Sequence, residues 1–189
     1  VCISPNRFYI HESKKSEFTK LMVEKTKKLK MGNGMEKDTL LGPLTTKQRL
    51  EGVEKLVEKT INEGGKLLTG GKRAANFNKG FFFEPTIFDE IKDNFTIMKE
   101  EPFGPIVPIL SFKNYDEVIK RANNNDLGLC SYVYTTDLKK ANLASEELET
   151  GCVAFNTPAV AVAEAPFGGI KQTGYGREGG SMAIKDYLN

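Results

Sequence analysis

The feature that most limits what this chain can fold into is a repeated switch between two apolar periods. Short apolar runs at residues 3–11, 66–69, 80–88, 105–112, 129–134 and 151–156 read as strands. Segments with helical spacing lie among them, at 14–30, from Thr45 or Thr46 to about Gly64, at 115–122 and at 138–148. Strands alternating with helices predict an α/β fold with a largely parallel sheet flanked by helices. The length of 189 residues suffices for one domain with a substantial core or for two small ones. Ser13 reads as the cap of the first helix, with Phe18, Leu21, Met22 and Leu29 at its apolar positions. Leu50, Val53, Val57 and Ile61 form the stripe of the second, which Gly64-Gly65 stops. Phe8 and Ile10 share one face of the first strand. Pro85 interrupts 80–88, which predicts an irregular or edge strand. Residues 158–189 are glycine-rich and read as loop before a short terminal helix.

Charge excludes some partners. With 27 basic and 25 acidic side chains the net charge is +2, which makes no case for nucleic acid or an anionic membrane. No apolar run approaches the roughly 20 residues that span a bilayer. The start lacks a secretory pattern, and Val1 in place of methionine points to a trimmed or excised chain. Three cysteines, Cys2, Cys130 and Cys152, have no framework spacing, which favours a reducing compartment and a cytoplasmic location. With one histidine, His11, no zinc-ligand pattern exists, so no metal is expected. A Cys2–His11 dyad is also excluded if residues 2–10 are extended, because about 3.3 Å per residue separates the two by roughly 25–30 Å.

Three stretches carry candidate chemistry. Cys2 lies between apolar neighbours at the mouth of the first strand. It reads either as a nucleophile or as a small buried thiol. In Glu100-Glu101-Pro102-Phe103-Gly104-Pro105, Pro102 biases Glu101 toward extended backbone. A carboxylate held there suits a sugar diol, and the Phe103 ring suits a flat ligand. The alternative is a solvated surface turn. In 164–180, Gly174-x-Gly176-x-x-Gly179 fits a dinucleotide fingerprint, but no strand precedes it and the chain ends ten residues later, so that reading is rejected. Phe167 is there a pocket wall or a loop anchor. Gly65 and Gly70 have phosphate-loop spacing, yet Gly71 stands where lysine belongs, and a turn is expected.

Together these stretches resemble the aldehyde dehydrogenase superfamily. The likeness rests on Val-Cys-Ile-Ser-Pro-Asn-Arg-Phe at 1–8, Glu-Glu-Pro-Phe-Gly-Pro at 100–105 and Pro-Phe-Gly-Gly-Ile-Lys-Gln-Thr-Gly-Tyr-Gly-Arg-Glu at 166–178. Leu41-Gly42-Pro43-Leu44, 80–86 and 151–156 are weaker echoes, and the order fits across essentially the whole chain. The resemblance implies the thiol-bearing catalytic domain over 1–189, a three-layer fold, with the dinucleotide-binding domain outside the chain. It implies Cys2 as attacking thiol, Glu101 on the nicotinamide ribose of NAD or NADP, and Phe103 near the nicotinamide. Phe167 would line an aldehyde tunnel with Ala161 facing it, and Glu178 would serve in a proton relay.

The implied reaction passes through a thiohemiacetal and a thioester on Cys2, with the Cys2 N–H as one oxyanion donor. The family's second donor and its general base would lie upstream, so the isolated chain is expected to be inactive. The stretch around Glu149–Asn156 and Ala-Glu-Ala-Pro-Phe-Gly-Gly is similar to the succinate-semialdehyde branch. Ala161 stands where some members of that branch place a substrate-holding serine, and Ser4 where some place a second cysteine. A homo-oligomeric parent protein is implied. The alternatives are a CoA- or phosphate-acylating relative and a non-catalytic fragment in which Cys2 is only packed.

Overall fold

The computed structural model describes residues 1–188. The chain divides into two compact units, one of Asn6–Lys113 and one of Val1–Pro5 with Asn114–Asn189.

In the first unit, strand β1 (Phe8–His11) leads into helix α1 (Glu12–Thr26), and helix α2 (Lys47–Asn62) is followed by β2 (Lys66–Thr69), β3 (Thr86–Asp89) and β4 (Ile106–Phe112). The sheet order is β1-β4-β3-β2. β4 runs parallel to both β1 and β3, and β2 alone is antiparallel. Register sorts the side chains onto two faces. Phe88, Ile106 and Leu110 join Leu50, Val53, Leu56 and Val57 of α2 in one core, with Tyr9 packed against it. Phe8, Ile10, Ile87 and Ile109 alternate with these and occupy the opposite face, over which α1 packs. A helix, a largely parallel sheet and a second helix thus make three layers, as the α/β reading expects.

Thr46 caps α2 by accepting from the Arg49 N–H at 3.1 Å. The buried stripe departs from the sequence reading at one place. Ile61 is 45% exposed, and Thr60 is buried instead. Thr60 can be there because its Oγ1 donates to the Leu56 carbonyl at 2.7 Å, which leaves no unpaired hydroxyl in the core. The cap of α1 is also corrected. It is His11, whose Nδ1 accepts from the Ser13 N–H, and the helix ends at Thr26 rather than near Lys30.

β3 is central, not an edge. Pro85 stands just before it, and the ladder begins with the Thr86 N–H donating to the Pro105 carbonyl at 2.8 Å, so the missing donor of proline falls outside the pairing. Gly70 and Gly71 form the expected turn, with φ of 74° and 80°. The Gly71 N–H meets Thr86 Oγ1, not a phosphate cradle.

In the second unit, α3 (Tyr115–Asn123) and α4 (Leu138–Glu147) pack together, linked by Tyr115 Oη donating to Glu147 at 2.7 Å. β5 (Leu127–Gly128) pairs antiparallel with β8 (Ile170–Lys171). β6 (Cys130–Val133) pairs in parallel with β7 (Cys152–Phe155). The glycine-rich stretch is loop, closed by a single-turn-type helix at Ala183–Tyr187. No described helix is long and apolar enough to cross a membrane.

Candidate functional site

Cys2 is exposed and lies in a turn, six residues before β1 begins. Residues 3–7 are not strand, contrary to the reading of 3–11. Pro5 restricts Ser4 and lacks a ladder donor, and the Ser4 N–H instead donates to the Val1 carbonyl at 3.1 Å, closing the turn around Cys2 and Ile3. The turn is tied to the sheet pair of its own unit. Tyr132 on β6 donates its phenol hydrogen to the Ile3 carbonyl at 2.7 Å. Nothing in the sequence marked Tyr132, because its partner lies 129 positions away.

The bend at Cys2 also removes the extended-chain premise used against a Cys2–His11 dyad. His11 makes its bonds within its own unit. Its Nε2–H donates to the Lys113 carbonyl at 3.1 Å while Nδ1 accepts from Ser13, and its ring stands edge-on to Phe112 at 5.4 Å.

The other two cysteines are neighbours of this turn. Cys130 and Cys152 face one another in register across β6 and β7. Burial pushes the Cys130 thiol up to about 11, and the adjacent Cys152 and Cys2 sulfurs push the same way. The Tyr132 phenol is raised by burial first and then by Cys130, Cys2 and Cys152. Three sulfurs and one phenol therefore share a neighbourhood, which the wide sequence separation hid.

The loop 158–180 folds back on itself. Phe167 and Glu178 exchange both backbone hydrogen bonds, each at 2.7 Å, in an isolated antiparallel bridge. Phe167 is half-buried, while Glu178 and Ala161 are exposed. Arg177 laces the loop, its guanidinium donating to the carbonyls of Gly169 and Gly176 at 2.9 and 2.7 Å. Gly151, at the entry to β7, lies so close to the Gly168 carbonyl that no Cβ fits there. Gly174, Gly176 and Gly179 all have positive φ in this irregular loop, and no helix opens among them, as the rejected dinucleotide fingerprint would need.

Glu101 and Phe103 belong to the unit Asn6–Lys113. Pro102 between them is buried, and Gly104 is seated against Val53 of α2, so the segment is anchored at both sides of Phe103. Phe103 takes φ of 39°, a left-handed conformation that a bulky residue adopts only when its surroundings hold it. Arg49, in the first turn of α2, supplies part of that hold. Its guanidinium carbon sits 5.8 Å from the centre of the Phe103 ring, and Nη1 donates to the Pro102 carbonyl at 3.5 Å. Glu101 is exposed, with no ion pair among the described residues, and the Phe103 ring is 46% exposed. An accessible carboxylate and an accessible aromatic face thus stand two residues apart on an anchored loop. No group of three or more His, Cys, Asp or Glu among the described residues is arranged to hold a metal ion.

Comparison with known proteins gives these features a context. The model of the Aldehyde dehydrogenase family matches residues 1–189. The chain is 43% identical over 189 residues to cytosolic 10-formyltetrahydrofolate dehydrogenase of Xenopus tropicalis, covering 99% of the chain and 21% of that protein. It is 36% identical over 188 residues to succinate-semialdehyde dehydrogenase [NADP(+)] 2 of Schizosaccharomyces pombe, covering 100% of the chain and 38% of that protein. The solved NAD+ complex of an aldehyde dehydrogenase from Bacillus cereus superposes with a TM-score of 0.93 at 40% identity, over 97% of this chain and 37% of that one. The chain thus spans well under half the length of these relatives.

Proposed function

The chain belongs to the aldehyde dehydrogenase family, and from that premise we propose that it is the thiol-bearing domain of an enzyme that oxidises an aldehyde to a carboxylate with NAD or NADP. The observation that carries the reading is Cys2 itself, an exposed thiol on a closed turn that Tyr132 fastens to β6. A buried, merely packed cysteine would not be reachable by an aldehyde.

In this proposal the Cys2 thiolate adds to the aldehyde carbon and forms a thiohemiacetal, with the Cys2 backbone N–H facing the developing oxyanion. Bound NAD or NADP supplies the hydride acceptor. Glu101 hydrogen-bonds the nicotinamide ribose and Phe103 orients the ring. Phe167 walls the substrate side with Ala161, and Glu178 assists proton transfer. Water then hydrolyses the thioester and frees Cys2. The relatives extend well beyond the matched segment, and the general base, the second oxyanion donor and the dinucleotide-binding domain are proposed to lie in that further part.

Succinate semialdehyde is the proposed substrate, supported by the likeness to the succinate-semialdehyde branch and by the S. pombe relative. A group other than Ala161 then has to hold its carboxylate, since an alanine methyl offers no hydrogen bond. The reading carries with it a cytoplasmic, homo-oligomeric parent protein with no nucleic-acid or membrane partner.

The test is selective alkylation of the native protein. In the full-length protein that contains this chain, iodoacetamide is expected to label Cys2 ahead of Cys130 and Cys152 and to abolish aldehyde oxidation in step, with protection by the aldehyde. Full activity after complete labelling of Cys2 overturns the proposal.

A further inference from the structure

The family reading uses one of the three sulfurs and leaves Cys130 and Cys152 unassigned. They stand directly opposite each other, on the parallel strands β6 and β7. Adjacent strands lie about 4.8 Å apart, within the roughly 4.4–6.8 Å between Cα atoms that a disulfide tolerates. Registered residues of a parallel pair project to the same side of the sheet, so the thiols meet rather than diverge. Cys152 Sγ lies 3.9 Å from the carbonyls of Pro166 and Gly168, on the loop that carries Phe167. Both cysteines are partly accessible.

We propose that Cys130 and Cys152 form a dithiol modification site that hydrogen peroxide converts to a cross-strand disulfide. The Cys152 thiol gives its proton to solvent, the thiolate attacks one peroxide oxygen and the O–O bond breaks, leaving Cys152 as a sulfenic acid while the departing hydroxide takes up a proton as the first water. Cys130 then attacks the Cys152 sulfur, the S–O bond breaks, and the sulfenic hydroxyl leaves with the Cys130 proton as the second water. Two electrons pass from the sulfur pair to the peroxide. Burial raises the Cys130 thiol to about 11, which disfavours its thiolate and leaves the first attack to Cys152. The inference does not rest on the role of Cys2.

The experiment is peroxide treatment of the native protein, followed by alkylation, trypsin digestion and mass spectrometry. The three cysteines fall on separate tryptic peptides, one ending at Arg7 and the others 122–139 and 141–171. The expected product joins 122–139 to 141–171, is lighter by two hydrogens than the sum, and separates with dithiothreitol. Cys152→Ser should leave no cross-link on 122–139, and wild-type mapping stands independently if that variant folds poorly. A cross-link through Cys2, or Cys130 and Cys152 both recovered as free thiols while Cys2 is oxidised, overturns the proposal. Either result leaves the assignment of Cys2 as nucleophile to its own alkylation test.

Discussion

The phenol of Tyr132 donates to the carbonyl of Ile3 at 2.7 Å, and this one bond fastens the turn that presents Cys2 to the β6–β7 pair. Tyr132→Phe keeps the ring and removes the bond. It is expected to cost about 1 kcal/mol in urea unfolding, the usual net worth of such a hydrogen bond. The same variant should speed hydrogen exchange at the Ser4 amide, which closes the turn on Val1, by several-fold. Unchanged exchange at Ser4 would show that the turn does not depend on Tyr132.

Arg49 holds the loop that carries Glu101 and Phe103. An exposed cation–π contact is worth roughly 0.5–1 kcal/mol. Arg49→Ala should therefore raise the KM for NAD or NADP about two- to five-fold and leave kcat near that of the wild type. A fall in kcat with KM unchanged would separate this loop from cofactor binding.

Gly151 has no room for a methyl group beside the Gly168 carbonyl, and the neighbour is backbone, which cannot swing aside. Gly151→Ala should destabilise the fold by roughly 1–3 kcal/mol, the usual cost of overpacking. A melting temperature equal to the wild type would contradict the close approach.

Glu63 lies just past α2 and accepts from the Thr96 Oγ1 at 2.6 Å and the Thr96 N–H at 2.9 Å. The Thr96 hydroxyl is the main reason its carboxyl titrates below the ordinary 4.5. The folded state therefore binds fewer protons than the unfolded chain in that range. This contribution is fully present above about pH 4.5 and is lost as pH falls through the lowered folded value. Glu63→Gln should flatten the acid limb of the stability profile, measured by urea unfolding from pH 6 down to pH 3. An unaltered limb would assign the acid loss to other carboxylates.

Much of the fold was legible wherever local chemistry and packing agree. Thr46, Leu50, Val53, Val57 and Gly64-Gly65 announce α2 because cap, stripe and stop all act within a few residues. The stripe failed at Ile61 because a threonine that bonds its own helix backbone can be buried as easily as an isoleucine. His11 was hidden as a cap because its ring does the work that Ser13 does more often. Pro85 misled because its position relative to the first ladder bond cannot be read from the run that contains it. For the site, Cys2, Glu101, Phe103 and Phe167 stood out by residue type and motif. Tyr132, Arg49 and the Cys130–Cys152 pairing did not, since each acts across a contact that only the folded chain makes.

Cys2 is proposed to carry the acyl group. The most direct test is rapid acid quenching of the full-length protein that contains this chain, during turnover with succinate semialdehyde and NAD or NADP, followed by mass analysis of the tryptic peptide that ends at Arg7. The expected result is a thioester-linked acyl group on Cys2 that forms at the rate of reduced-cofactor production and is absent in Cys2→Ser. Undiminished aldehyde oxidation by Cys2→Ser, with no acyl group on this peptide in the wild type, would contradict it.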